Sequence, residues 1–62
     1  MIIHRLPSGG FVIHNGFGQR VTAWFDSDGK LLDCTRFDSL GRSRKPSKAI
    51  VKRLISFGPK LI

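Results

Sequence analysis

Six cations stand within thirteen residues in the stretch Arg42-Ser43-Arg44-Lys45-Pro46-Ser47-Lys48-Ala49-Ile50-Val51-Lys52-Arg53-Leu54, with no acid among them. Arg42, Arg44, Lys45, Lys48, Lys52 and Arg53 combine two chemistries that recognise phosphate. Arginine supplies a planar fork that meets phosphate bidentately, and lysine supplies a mobile point charge. Ser43 and Ser47 add hydroxyl donors, and a helix beginning here adds free backbone N–H groups. Such a set can hold several backbone phosphates, but phosphate contacts carry no direct information about base sequence.

A helix must position these side chains. Ile50, Leu54 and Phe57 fall at i, i+4 and i+7 with Val51 beside them, so one helical face is apolar. Lys48 and Lys52 lie roughly 160° and 200° round from Ile50 at about 100° per residue. The same element therefore grips a core with one face and shows positive charge on the other. The spacing predicts helix from about Pro46, which suits the first helical position, to Phe57, with Gly58-Pro59 as its stop. The tail Lys60-Leu61-Ile62 offers an apolar pair that can fold back on a sheet.

Charge is segregated along the chain. Residues 1–38 balance Arg5, Arg20, Lys30 and Arg36 against Asp26, Asp28, Asp33 and Asp38. Residues 39–62 hold seven cations and no acid, so the whole formal charge of +7 belongs there. This asymmetry points to a polyanionic partner: nucleic acid first, then an acidic protein surface, then anionic membrane. A basic helix face kept only for solubility is the plainer alternative, and the complete lack of counter-charge argues against it.

The 62 residues are expected to form one small domain, near the lower limit for folding alone, with no room for an enclosed catalytic cleft beside a core. Cys34 is the only cysteine, which excludes an internal disulfide. A small unstapled chain with no signal-peptide pattern and no apolar run of membrane length fits the cytoplasm.

The first two thirds of the chain reads as antiparallel strands. Ile2 to Leu6 is a short apolar run stopped by Pro7-Ser8-Gly9-Gly10. Phe11-Val12-Ile13-His14 is rich in β-branched and aromatic residues. Asn15-Gly16 signals a hairpin, and Gly18 offers a second turn or a bulge. Arg20-Val21-Thr22-Ala23-Trp24-Phe25 alternates, with Val21, Ala23 and Phe25 pointing one way and Arg20, Thr22 and Trp24 the other. Asp26-Ser27-Asp28-Gly29 turns the chain, and Lys30 to Arg36 returns. A four-residue turn would pair Phe25 with Lys30, Ala23 with Leu32 and Val21 with Cys34, placing Leu32 and Cys34 on the core face. A three-residue loop would flip the returning strand. Residues 37–45 read as a basic loop. The expected architecture is α+β: a three- or four-stranded antiparallel meander with one C-terminal helix packed on one face.

Other chemistries find little support. His4, His14 and Cys34 match no zinc spacing. Asp26-Ser27-Asp28-Gly29 lacks the rest of a calcium-loop ligand set. No serine sits in a nucleophile elbow. No cofactor, metal, membrane or small-molecule substrate is expected, and the chain reads as a non-enzyme.

Gly10-Phe11-Val12, then Arg20 to Lys30, then a strand and a basic helix, resembles the three-stranded-sheet-plus-helix domain of phage integrase arm-binding and AP2-like DNA-binding modules. The resemblance spans roughly residues 10–57. It implies a sheet entering the major groove, with Arg20, Thr22, Trp24, Thr35 and Arg36 at base-reading positions. The loop from Phe37 to Lys45 is longer than in that family, and no catalytic domain is attached. The resemblance thus implies a free-standing binder, of the kind phage and mobile-element genomes encode as regulators.

Three functions fit these residues. The first is binding of nucleic acid, duplex DNA ahead of RNA, with the six cations on phosphates. The second is a small inhibitor or adaptor docking on an acidic surface of a host enzyme, with Trp24 as anchor and the basic helix as steering patch. The third is RNA or ribosome association, for which the paired aromatics of an RRM are missing.

Overall fold

Alternation of apolar and polar residues builds one sheet, and the only strong helical periodicity builds the element that covers it. The computed structural model describes residues 1–15 and 20–61. Strands β1 (Ile2–Arg5), β2 (Phe11–His14), β3 (Val21–Phe25), β4 (Leu31–Phe37) and β5 (Ser43–Arg44) form an antiparallel sheet in that order. Helix α1 (Lys48–Phe57) follows and runs into a 3-10 turn over Gly58–Leu61. The α+β class holds, with one strand more than expected. β5 lies inside the stretch that reads as a loop.

The core sits between one sheet face and α1. Phe11, Ile13, Val21, Ala23, Phe25, Ile50 and Leu54 are buried together, and Leu31, Cys34, Phe57 and Leu61 pack against them. The Leu61 half of the apolar tail therefore closes the helix side; Ile62 lies outside the described residues. So do Gly16 and Gly18, although Asn15 itself adopts φ +55°, as the hairpin signal requires.

The β3–β4 register differs from the expectation. Phe25 pairs with Leu31, Ala23 with Cys34 and Val21 with Arg36. The cause lies in the turn. Asp26 Oδ1 accepts from the N–H groups of Asp28 and Lys30, and the Asp26 N–H donates to the Lys30 carbonyl. This lengthens the turn by one residue, which alone would invert β4. A bulge between Trp24 and Phe25 then adds a second residue and restores the parity. Cys34 keeps its core-side position. Leu32, expected in the core, is 63% exposed, and Leu31 takes its place.

Helix α1 also starts later than Pro46. Ser47 is its N-cap, with Oγ accepting from the Ile50 N–H at 3.3 Å. A capping hydroxyl outcompetes the preference of proline for the first turn. At the other end Gly58 is not left-handed but αR, at φ −50° and ψ −53°. Its glycine is required by space: a Cβ there would overlap the Gly29 carbonyl and the Phe25 ring. Gly29, at φ +81°, returns the constraint, since its own Cβ would strike the Gly58 carbonyl. Two glycine backbones thus clamp the end of α1 to the β3–β4 turn.

Candidate functional site

The seven cations of residues 39–62 are all exposed: Arg42, Arg44, Lys45, Lys48, Lys52, Arg53 and Lys60. Their order in space follows from short connections. Three residues join Arg44 to Lys48, which limits their Cα separation to about 14 Å. Lys48 and Lys52 then stand one helical turn apart, about 6 Å along the axis. Beyond them Lys52, Arg53, Ser56, Phe57 and Lys60 line an open concavity of about 410 Å³. The basic strip therefore runs from the β5 edge along α1 to the 3-10 turn.

The acids do little to neutralise it. Asp26 caps the β3–β4 turn, and Asp33 accepts from the neighbouring Cys34 N–H at 2.8 Å. Asp38 is the exception. Its Oδ1 accepts from the N–H groups of Leu40 and Arg42 at 2.9 Å each, and its Oδ2 accepts from Nε of Arg42 and of Arg44 at 3.1 Å each. The Arg42 N–H, first, then the Leu40 N–H and the two guanidinium groups hold this carboxyl below the usual aspartate range, against opposing desolvation. Burial, and after it the neighbouring Asp33, push the Cys34 thiol above its ordinary value.

The open sheet face is a different surface. Strand pairing sets His4, Val12, Trp24 and Asp33 in one row and Ile2, His14, Thr22 and Thr35 in the next. The His4 and His14 rings meet edge to face with centroids 5.4 Å apart. Cys34 points to the other face, so these three residues do not converge. Trp24 is half-buried, and Val12 beside it keeps only 8% exposure. Leu61 packs against the core, on the far side of the sheet from Trp24.

The candidate residues therefore separate into two sets. Thr22, Trp24 and Thr35 share the open face, as alternation implied. Arg36 does not join them: it pairs with Val21 and with Arg44, which turns it to the helix side. Adjacent strand residues point to opposite faces, so Thr35 and Arg36 cannot act on one surface. Arg20 leaves the set as well, its Nη1 donating to the Asp38 carbonyl at 3.1 Å.

Two residues were not foreseen as part of the site. Lys60 escapes notice because Gly58-Pro59 reads as the end of the helix, whereas the 3-10 turn brings it beside Arg53 and Phe57. Asp38 reads as a loop acid, and only the β4–β5 pairing shows that it faces two arginines. Among the described residues, no helix is long and apolar enough to cross a membrane. No family model, curated protein or solved structure matches the chain.

Proposed function

We propose that the protein binds nucleic acid, duplex DNA in the first instance, by gripping phosphates along the strip from Arg42 to Lys60. One observation carries this reading: all seven cations of the last 24 residues are exposed on connected elements, and among the described residues Asp38 is the one acid shown paired with any of them, while Asp26 and Asp33 accept from nearby backbone N–H groups. A strip of this kind has the donor types for backbone phosphates, and it supplies affinity without base preference. The chemistry requires no catalytic group. A phage or mobile-element regulator working in the cytoplasm fits a small, cation-rich chain with one unpaired thiol.

The test is a titration of random-sequence duplex DNA across salt concentrations. With about five of the seven cations engaged, log K falls against log salt with a slope of roughly −4 to −5. A slope near zero at preserved affinity removes the reading.

A second reading rests on the separation of the two surfaces. The Trp24 face carries Ile2, Val12, Thr22 and Thr35 with no cation in its two central rows, which suits a protein partner better than a phosphate backbone. In that case Trp24 anchors an acidic host protein and the basic strip steers the encounter.

A further inference from the structure

Asp38 interrupts the basic strip at its most arginine-rich point. Two guanidinium groups meet its carboxylate, and two further arginines stand on the neighbouring backbone. Arg42 and Arg44 bond the same oxygen, Oδ2, through Nε at 3.1 Å, so their Nε atoms are no more than about 6 Å apart. Arg20 reaches the Asp38 carbonyl, and Arg36 sits directly across from Arg44 in the β4–β5 ladder. Like charges placed opposite each other on neighbouring strands repel. One carboxylate offsets only part of that repulsion.

The geometry of the ion pairs leaves most of both guanidinium groups available. Each has five N–H donors in a rigid plane, and Asp38 takes one Nε–H from each. The Asp38 side chain is 19% exposed, while those of Arg42 and Arg44 are 62% and 48% exposed. The carboxylate is thus set back and the two arginines project past it, with their orientations held from behind.

We propose that Asp38 is a positioning residue, holding Arg42 and Arg44 as a two-arginine clamp for one backbone phosphate of the nucleic acid. The proposal rests on the nucleic-acid reading and adds to it a definite site. It also reverses the expectation from net charge. If Asp38 merely neutralised its surroundings, removing it would make the protein one charge more positive and tighten DNA binding. If it orders the clamp, removing it costs the pre-organised fork and loosens binding.

The informative variant is Asp38→Asn. The amide oxygen can still accept from the N–H groups of Leu40 and Arg42, which preserves the turn. The amide nitrogen then faces two Nε–H donors and cannot hold them. The experiment measures anisotropy of a labelled random 20-base-pair duplex over several salt concentrations, for wild type, Asp38→Asn, Asp28→Asn and Arg44→Lys, with a thermal melt of each. Asp28 lies in the turn at the opposite end of β4 and controls for charge alone. The clamp predicts about tenfold weaker binding by Asp38→Asn at low salt, on the order of one charge-assisted hydrogen bond. It predicts a salt slope flatter by one to two contacts, and unchanged or tighter binding by Asp28→Asn. Arg44→Lys, which disturbs no backbone bond and keeps the charge, loses affinity too and carries the test by itself if Asp38→Asn fails to fold. Equal or tighter binding by a folded Asp38→Asn overturns the clamp while leaving the nucleic-acid reading intact, as does an Arg44→Lys variant that binds like wild type. A wild-type protein without salt-dependent DNA binding overturns both.

Discussion

Replacing Gly58 by Ala sets local propensity against packing, and the two disagree in sign. Gly58 has αR dihedrals at the end of α1. Judged from the backbone alone, alanine is favoured there by about 0.8–1.0 kcal/mol, because glycine carries the larger entropic cost in a helix. The surroundings oppose this. The added Cβ would overlap the Gly29 carbonyl and press on two carbons of the Phe25 ring. Phe25 is fully buried, and Gly29 is held at φ +81° in a turn closed by its own N–H to the Asp26 carbonyl at 3.0 Å. Neither neighbour can retreat cheaply, and overpacking of this kind costs about 1–3 kcal/mol. Backbone movement adds to that cost, because the obstruction is a carbonyl rather than the end of a flexible side chain. The net expectation is destabilisation by about 1–2 kcal/mol, which in a domain of this size lowers Tm by roughly 4–16 °C. Thermal unfolding followed by circular dichroism reads it directly, with Ser56→Ala on the exposed side of α1 as a propensity control that should hold or raise Tm. A Gly58→Ala variant that melts above wild type would refute the claim that the Gly29–Gly58 contact clamps the helix to the sheet.

Three further expectations follow from the same geometry. Leu54→Ala should cost about 2–5 kcal/mol, since Leu54 is fully buried in the middle of the helix face, and urea denaturation matching wild type would show that face misassigned. Replacing Arg44 and Lys48 together by Ala should weaken DNA binding equally on all sequences and flatten the salt slope by about two contacts, whereas Trp24→Ala should leave the slope alone; a double variant binding as tightly as wild type at low salt would favour the protein-partner reading. Because the folded state holds the Asp38 carboxyl below its ordinary value, the stability it contributes is complete above about pH 4 and is lost as pH falls through the lowered value. The Tm difference between wild type and Asp38→Asn should therefore shrink on acidification from pH 6, and a difference independent of pH would contradict the ion-pair geometry.

Local patterns were sufficient wherever neighbours in the chain decide the outcome. The apolar face of Ile50, Leu54 and Phe57, the alternation of Val21, Ala23 and Phe25, and the concentration of charge in residues 39–62 are read from spacing alone, and the helix on the sheet follows from them. The sequence reading failed where one residue of length changes the result. It put Leu32 in the core and started the helix at Pro46, because neither the hydrogen bonds of Asp26 nor the Ser47 cap has a periodicity to betray it. Tertiary structure alone decided the composition of the candidate site. The β4–β5 pairing set Arg36 across from Arg44 and Asp38 beside two arginines, and the Asp38 main-chain carbonyl engaged Arg20. Side chains many positions apart meet only after the intervening turns have set the register, and the β3–β4 and β4–β5 turns are each organised by a single carboxylate, Asp26 and Asp38, rather than by the hydrophobic pattern.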